Sequence, residues 1–138
     1  MANRLRVRDL MTQGVFAVGV NDDLETIHTL MAERNIRHAP VVSDGGLLLG
    51  LVTQRDLIRN SLKSQALPPS AMAAAMQTTT AGEIMTLNVA TAKPDQDIRE
   101  AARVMLDHKY GCLPVVDGTR LVGIVTESDF VRFLAAGD

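Results

Sequence analysis

Two seven-residue segments carry the side chains best suited to chemistry: Gly50-Leu51-Val52-Thr53-Gln54-Arg55-Asp56 and Gly123-Ile124-Val125-Thr126-Glu127-Ser128-Asp129. Each reads as a strand running into a helix, with the threonine at the N-cap and the aspartate in the first turn. A helix N-terminus offers free N–H groups and a positive dipole end, which suit a phosphate. A carboxylate there can accept two hydrogen bonds from the vicinal hydroxyls of a ribose. The glycine three residues before the threonine permits close backbone approach. The plainer alternative is a capping box, Thr-x-x-Asp, which needs no ligand. Recurrence of glycine, hydroxyl and acid in both segments shifts the balance toward a ligand.

The elements that position these segments are themselves repeated. Met11-Thr12 recurs as Met85-Thr86, an offset of 74 residues, and the same offset relates Val15 to Val89, Asp23 to Asp97, Met31 to Met105 and Pro40-Val41-Val42 to Pro114-Val115-Val116. Past that point a one-residue loop deletion makes the offset 73, as from Thr53 to Thr126. Ordered matches with a single slip indicate a duplication, with repeats at residues 6–62 and 80–136 and a linker at 63–79. In each repeat a short strand (Val15–Val18, Val89–Ala92) precedes a helix announced by Asn21-Asp22-Asp23 or Pro94-Asp95-Gln96-Asp97. Leu24, Ile27 and Met31, and likewise Ile98, Ala101 or Ala102, and Met105, keep helical spacing. Two β-branched strands joined by a glycine turn follow, then a final helix. The expected fold is α/β (α+β), two β-α-β-β-α repeats packed about a pseudo-twofold axis, since one such unit is too small to bury a good core alone. In the linker, Pro68-Pro69 reads as a break and Ser70 as the cap of a short helix through Met76.

Composition narrows the functional classes. A length of 138 residues and 46% hydrophobic content fit a small globular protein. A net charge of −2 with mixed signs argues against binding to DNA or to a membrane surface. No apolar run approaches a membrane span, and no signal peptide is seen. The single cysteine, Cys112, excludes an intrachain disulfide and suits a reducing, cytoplasmic setting. With no tryptophan and few aromatics, the core must be built from Leu, Ile, Val, Met and Ala.

The duplicated pattern resembles the cystathionine-β-synthase (CBS) domain pair, or Bateman module, over about Val7 to Phe133. The resemblance is carried by Val7-Arg-Asp-Leu-Met-Thr12 and Ala81-Gly-Glu-Ile-Met-Thr86, by His38-Ala39-Pro40-Val41-Val42 and Cys112-Leu113-Pro114-Val115-Val116, and by the two Gly-x-x-Thr-x-x-Asp segments. It implies a regulatory, non-catalytic module with two clefts that receive AMP, ADP, ATP or S-adenosylmethionine, NAD(H) being a further alternative. By that likeness Asp56 and Asp129 hold ribose hydroxyls, and Thr53 and Thr126 face phosphate. Backbone around Val15, Val89, Ala39-Pro40 and Leu113-Pro114 frames the adenine. It also implies a homodimer and a regulated enzyme or transporter as partner. The competing reading is a ligand-free interaction or dimerisation scaffold.

Other residues are weaker candidates. His28, His38 and His108 show no metal-ligand spacing among themselves or with Cys112, and no metal site is assigned. His28 reads as a partly exposed helix residue, Cys112 as a small core residue, and Tyr110 as a rim or core residue rather than a stacking partner for adenine. The seven methionines read as core filling. No nucleophile–base pair, paired acids, P-loop or dinucleotide fingerprint supports an enzyme, so no catalytic cofactor is expected. The initial Met and the ending Ala135-Ala136-Gly137-Asp138 read as those of a complete small protein.

The two copies differ in charge. Arg37 and His38, basic residues of the kind that reach phosphates in modules of this resemblance, are matched by Gly111 and Cys112, and Arg55 by Ser128, while Lys109 lies out of register. Two ligand sites of unequal affinity are therefore expected. Calorimetric titration with AMP checks this, and two equal sites would count against it.

Overall fold

The computed structural model describes residues 5–63 and 68–136. Gln65 of the linker, the N-terminal Met-Ala-Asn-Arg and the final Gly137-Asp138 lie outside the described residues. Seven helices and four strands follow one another among the described residues. They are α1 (Val7–Leu10), α2 (Leu24–Arg34), β1 (His38–Val42), β2 (Leu48–Thr53), α3 (Gln54–Lys63), α4 (Pro69–Thr78), α5 (Ala81–Ile84), α6 (Ile98–His108), β3 (Cys112–Asp117), β4 (Arg120–Thr126) and α7 (Glu127–Ala136).

The chain forms two compact units, and these are interleaved with respect to the sequence repeats. One unit runs Phe16–Asn88; the other joins the residues up to Val15 with those from Val89 onward. Each repeat thus sends its leading segment to the other repeat's unit. In the Phe16–Asn88 unit, Ala81 N–H donates to the Asp22 carbonyl at 2.8 Å and Gly82 N–H to that of Val20 at 2.9 Å. The same bonds recur in the second unit from Val7 to Gln96 (2.8 Å) and from Arg8 to Pro94 (2.9 Å).

Both hairpins are antiparallel. β1 pairs with β2 from His38–Thr53 to Val42–Leu48, with a register shift between Val41 and Val42. β3 pairs with β4 from Cys112–Thr126 to Asp117–Arg120, with the equivalent shift between Val115 and Val116. The strands expected at 15–18 and 89–92 are each reduced to one bridging residue. Val18 pairs in parallel with Val41, and Ala92 with Val115. Each expected strand opens just after a left-handed residue, Gly14 (φ 62°) or Asn88 (φ 55°). The chain is therefore still coming out of a turn at Val15 and Val89 and reaches the sheet only at Val18 and Ala92.

Capping explains the helix limits. Asp23 accepts from Thr26 N–H and Asp97 from Arg99 N–H, as the acidic start signals predict. Each of these helices ends on a left-handed residue, Asn35 (φ 53°) or Lys109 (φ 58°). The linker helix α4 corrects the expected cap. Pro68 is its N-cap and Pro69 its first residue, with Ser70 already inside the first turn. Proline at the first position loses nothing, because that N–H has no intrahelical partner. The helix also runs two residues past Met76. There the Thr78 and Thr79 hydroxyls donate to the carbonyls of Ala74 (2.9 Å) and Ala75 (2.7 Å), adding side-chain bonds to the last turn, where Ala75 also accepts the Thr79 N–H at 2.9 Å.

The two cores are aliphatic, as the composition requires. One gathers Leu24, Ile27, Met31, Ala39, Val41, Val52 and Leu57 with Ala81, the last supplied by the leading segment of the second repeat. The other gathers Ala101, Met105, Leu113, Val115 and Val125 with Val7 and Leu10 of the first repeat's leading segment.

Close contact at two glycines fixes these segments. A Cβ on Gly50 would lie 2.7 Å from Met85 Sδ and 2.9 Å from the Thr86 carbonyl oxygen. On Gly123 it would lie 2.7 Å from Met11 Sδ and 3.1 Å from the Thr12 carbonyl oxygen. A methionine tip can move aside, but a backbone carbonyl held in a bridge cannot move cheaply. Gly50→Ala should therefore destabilise the protein by about 1–3 kcal/mol, and by more than Gly123→Ala. Urea unfolding of the two variants checks both the size and the order.

Candidate functional site

The two Thr-x-x-Asp turns sit where β2 enters α3 and where β4 enters α7. Both form the reciprocal capping box. Asp56 Oδ2 accepts from Thr53 N–H at 2.9 Å, and Thr53 Oγ1 accepts from Asp56 N–H at 3.2 Å. In the second copy the corresponding distances are 2.8 and 3.3 Å, and the Thr126 hydroxyl also donates to Asp129 Oδ2 at 3.2 Å. The plainer reading of the motif is thus physically present. It uses one carboxylate oxygen, so it excludes a ligand only where the other oxygen is also taken.

At that other oxygen the copies diverge. Asp56 Oδ1 faces only Arg59 Nη1, at 3.9 Å, with the arginine side chain 63% exposed. Asp129 Oδ1 accepts from Thr12 Oγ1 at 3.1 Å and from Arg132 Nη2 at 2.6 Å. Asp129 is also buried, at 5% exposure. Thr12, Arg59 and Arg132 were not singled out as site residues from the sequence. The signal was there, since Arg59 and Arg132 recur at the same 73-residue offset as the two aspartates.

The remaining candidates separate into frame and rim. The Ala39, Pro40, Leu113 and Pro114 side chains are fully buried, so only their backbone is left to meet a ligand. Even there, the Pro40 and Pro114 carbonyls already accept from Val18 and Ala92 N–H, both at 2.9 Å. Val15 and Val89 are half-buried and each follows a left-handed residue, Gly14 (φ 62°) or Asn88 (φ 55°). Arg37 and Arg55 are exposed and His38 is half-buried, all in the Phe16–Asn88 unit with Asp56. The close approach at Gly50 and Gly123 is made by the chain's own Met-Thr segments. Tyr110 stacks on His108, the ring centroids 5.4 Å apart.

The CBS domain family matches residues 7–63 and 81–136. The chain belongs to the CBS domain family. Hypoxic response protein 1 of Mycobacterium tuberculosis is 35% identical over 127 residues, which cover 92% of this chain and 83% of that protein. Among solved structures, the CBS domain pair of protein MJ0100 in complex with 5'-methylthioadenosine and S-adenosyl-L-methionine is 28% identical, with a TM-score of 0.80 over 99% of this chain and 100% of that one. CBSX2 in complex with AMP is 25% identical, with a TM-score of 0.81 over 95% and 96% of the two chains. Two repeats of mixed helix and strand with small sheets are thus shared with CBS pair structures. The chain spans under half the length of other curated relatives, 43% of one and 24% of three more.

Two further features of the CBS pair bear on chemistry. A groove of about 860 Å³ opens beside Arg6, Lys93, Asp95, Glu100 and Asp117. It lies at the Asp117 end of the β3–β4 hairpin, whereas Thr126 pairs with Cys112 at the other end. Among the described residues no cluster of His, Cys, Asp and Glu could hold a metal ion, and no helix is long and apolar enough to cross a membrane.

Cys112 is buried at the start of β3. Burial pushes its thiol from 9.0 up to about 12, because desolvation disfavours the thiolate. The unfolded chain then loses this proton at a lower pH than the native state. Stability from this group is constant below pH 9 and falls as pH rises from about 9 to 12. Cys112→Ala should flatten that part of the pH–stability curve, as measured by urea unfolding. A native thiol that reacts with a disulfide reagent at neutral pH as fast as the unfolded chain would contradict it.

Proposed function

We propose that this CBS pair is a non-catalytic sensor of adenine nucleotides (AMP, ADP or ATP) that signals through a ligand-dependent rearrangement. The carrying observation is Asp56, whose Oδ2 closes the helix cap while Oδ1 takes no hydrogen bond from any described residue. A carboxylate held rigidly by a cap, with one oxygen left over, is suited to the vicinal hydroxyls of a ribose. The adenosine ligands of MJ0100 and CBSX2 support the nucleoside part of the reading.

Charge favours a phosphate over a sulfonium. Exposed Arg37 and Arg55 belong to the same unit as Asp56, and two cations attract an anionic phosphate and repel the positive sulfur of S-adenosylmethionine. Such a ligand regulates only if it prefers one conformation or assembly over another. The assembly we propose is a cytoplasmic homodimer that acts on an enzyme or transporter. Exposed Val131 and Leu134 on α7 supply apolar surface for association.

Thermal-shift titration with AMP, ATP, S-adenosylmethionine and NADH tests the reading, since a ligand that binds the native state raises its melting temperature with concentration. AMP and ATP should raise it, and Asp56→Asn should weaken AMP binding by on the order of tenfold. No shift with any of the four at millimolar concentration would overturn the nucleotide reading and leave a ligand-free scaffold.

A further inference from the structure

We infer that Thr12 and Arg132 form a latch on Asp129 that must open before the second site takes a nucleotide. The inference rests on the ribose-binding role proposed for the two aspartates and goes beyond it. A carboxylate has about four acceptor positions. At Asp129 four donors fill them: Thr126 N–H and hydroxyl on Oδ2, and the Thr12 hydroxyl and Arg132 guanidinium on Oδ1. Among the described residues one donor hydrogen-bonds the Asp56 carboxylate, the Thr53 N–H. The difference is not one of composition. Thr12 and Arg132 have equivalents in Thr86 and Arg59, yet among the described residues Thr86 makes no bond to Asp56 and Arg59 stays at 3.9 Å.

A ribose arriving at Asp129 has to displace both donors from Oδ1, and both bonds are charge-assisted. The Arg132 side chain, however, is 69% exposed and swings into water at little cost, so the Thr12 hydroxyl is the stronger half of the latch. The Asp129 site is therefore the weaker one, for a reason separate from the difference in charge between the copies. Displacement also has a mechanical consequence. Thr12 belongs to the leading segment, where its backbone exchanges hydrogen bonds with Ile124 at 2.8 and 3.0 Å. Nucleotide binding at Asp129 thus removes a side-chain tether from the N-terminal segment, whereas binding at Asp56 removes none. Thr12 is a positioning residue and acts through the carboxylate.

The test uses AMP and the full chain, with circular dichroism melting to establish that each variant is folded. Asp56→Ala leaves only the Asp129 site for calorimetry. On that background Thr12→Val should tighten AMP binding by on the order of tenfold and Arg132→Gln by less, on the order of twofold, and Thr12→Ser, which restores the hydroxyl, should return the weak affinity. On the Asp129→Ala background Thr86→Val should leave affinity unchanged. Unchanged or weaker binding in Thr12→Val and Arg132→Gln would overturn the latch, as would equal gains from Thr12→Val and Thr86→Val. Failure of the underlying reading looks different: AMP affinity would survive the double replacement of Asp56 and Asp129 by alanine.

Discussion

Everything in each unit depends on the docking of a Met-Thr segment onto the second strand of a hairpin. A two-stranded hairpin is marginal by itself and exposes two edges. In both units one edge is met by a single parallel bridge, from Val18 or Ala92. The other is met by a single antiparallel bridge, from Thr86 to Leu51 or from Thr12 to Ile124. The glycine next along the strand from that bridge is what lets the methionine lie flat against the sheet. Take away the segment and β2 or β4 becomes an open edge, while the core loses Ala81, or Val7 and Leu10.

The same strand then runs directly into the helix whose first turn carries the aspartate. Cap and candidate binding site are therefore not alternatives. The capping box fixes the carboxylate through one oxygen, which removes its rotational freedom before any ligand arrives. What remains free to meet a ligand is the second oxygen. At Asp56 that oxygen faces a distant, solvated arginine, an arrangement worth little to stability. At Asp129 it is enclosed and bonded on two sides. One motif thus yields two carboxylates with different hydrogen-bond partners, because the side chains around them adopt different conformations.

The repeat, the aliphatic core, the acidic caps and the hairpins were legible in the sequence, because each has a local signal: an offset, a periodicity, an N-cap residue or a glycine turn. Interleaving was not legible. Offsets of 74 and 73 relate the two copies equally well whether Met11-Thr12 docks on Gly50 or on Gly123, since both glycines lie in equivalent frames. The strands expected at 15–18 and 89–92 shrink to single bridges, since a short apolar segment looks the same in sequence whether one residue pairs or four do. Ser70 lost the cap to Pro68 because a double proline sets the backbone before any side-chain oxygen acts. The donors on Asp129 were missed for a related reason, as one of them lies 117 residues away in the chain.

Interleaving also changes what the duplication means thermodynamically. A repeat cut out at its sequence boundary, such as residues 6–62, would keep Gly50 and lose Met85 and Thr86. It would also carry Val7 and Leu10 without the core they fill. Neither repeat holds a whole unit, so the stability of each unit draws on residues of both. Coupling between the copies is built into chain connectivity. A change felt at Thr12 belongs at once to the beginning of the first repeat and to the acid-bearing turn of the second. The two ends of the sequence meet through three contacts of one segment: the Met11–Gly123 packing, the Thr12–Ile124 bridge and the Thr12–Asp129 bond.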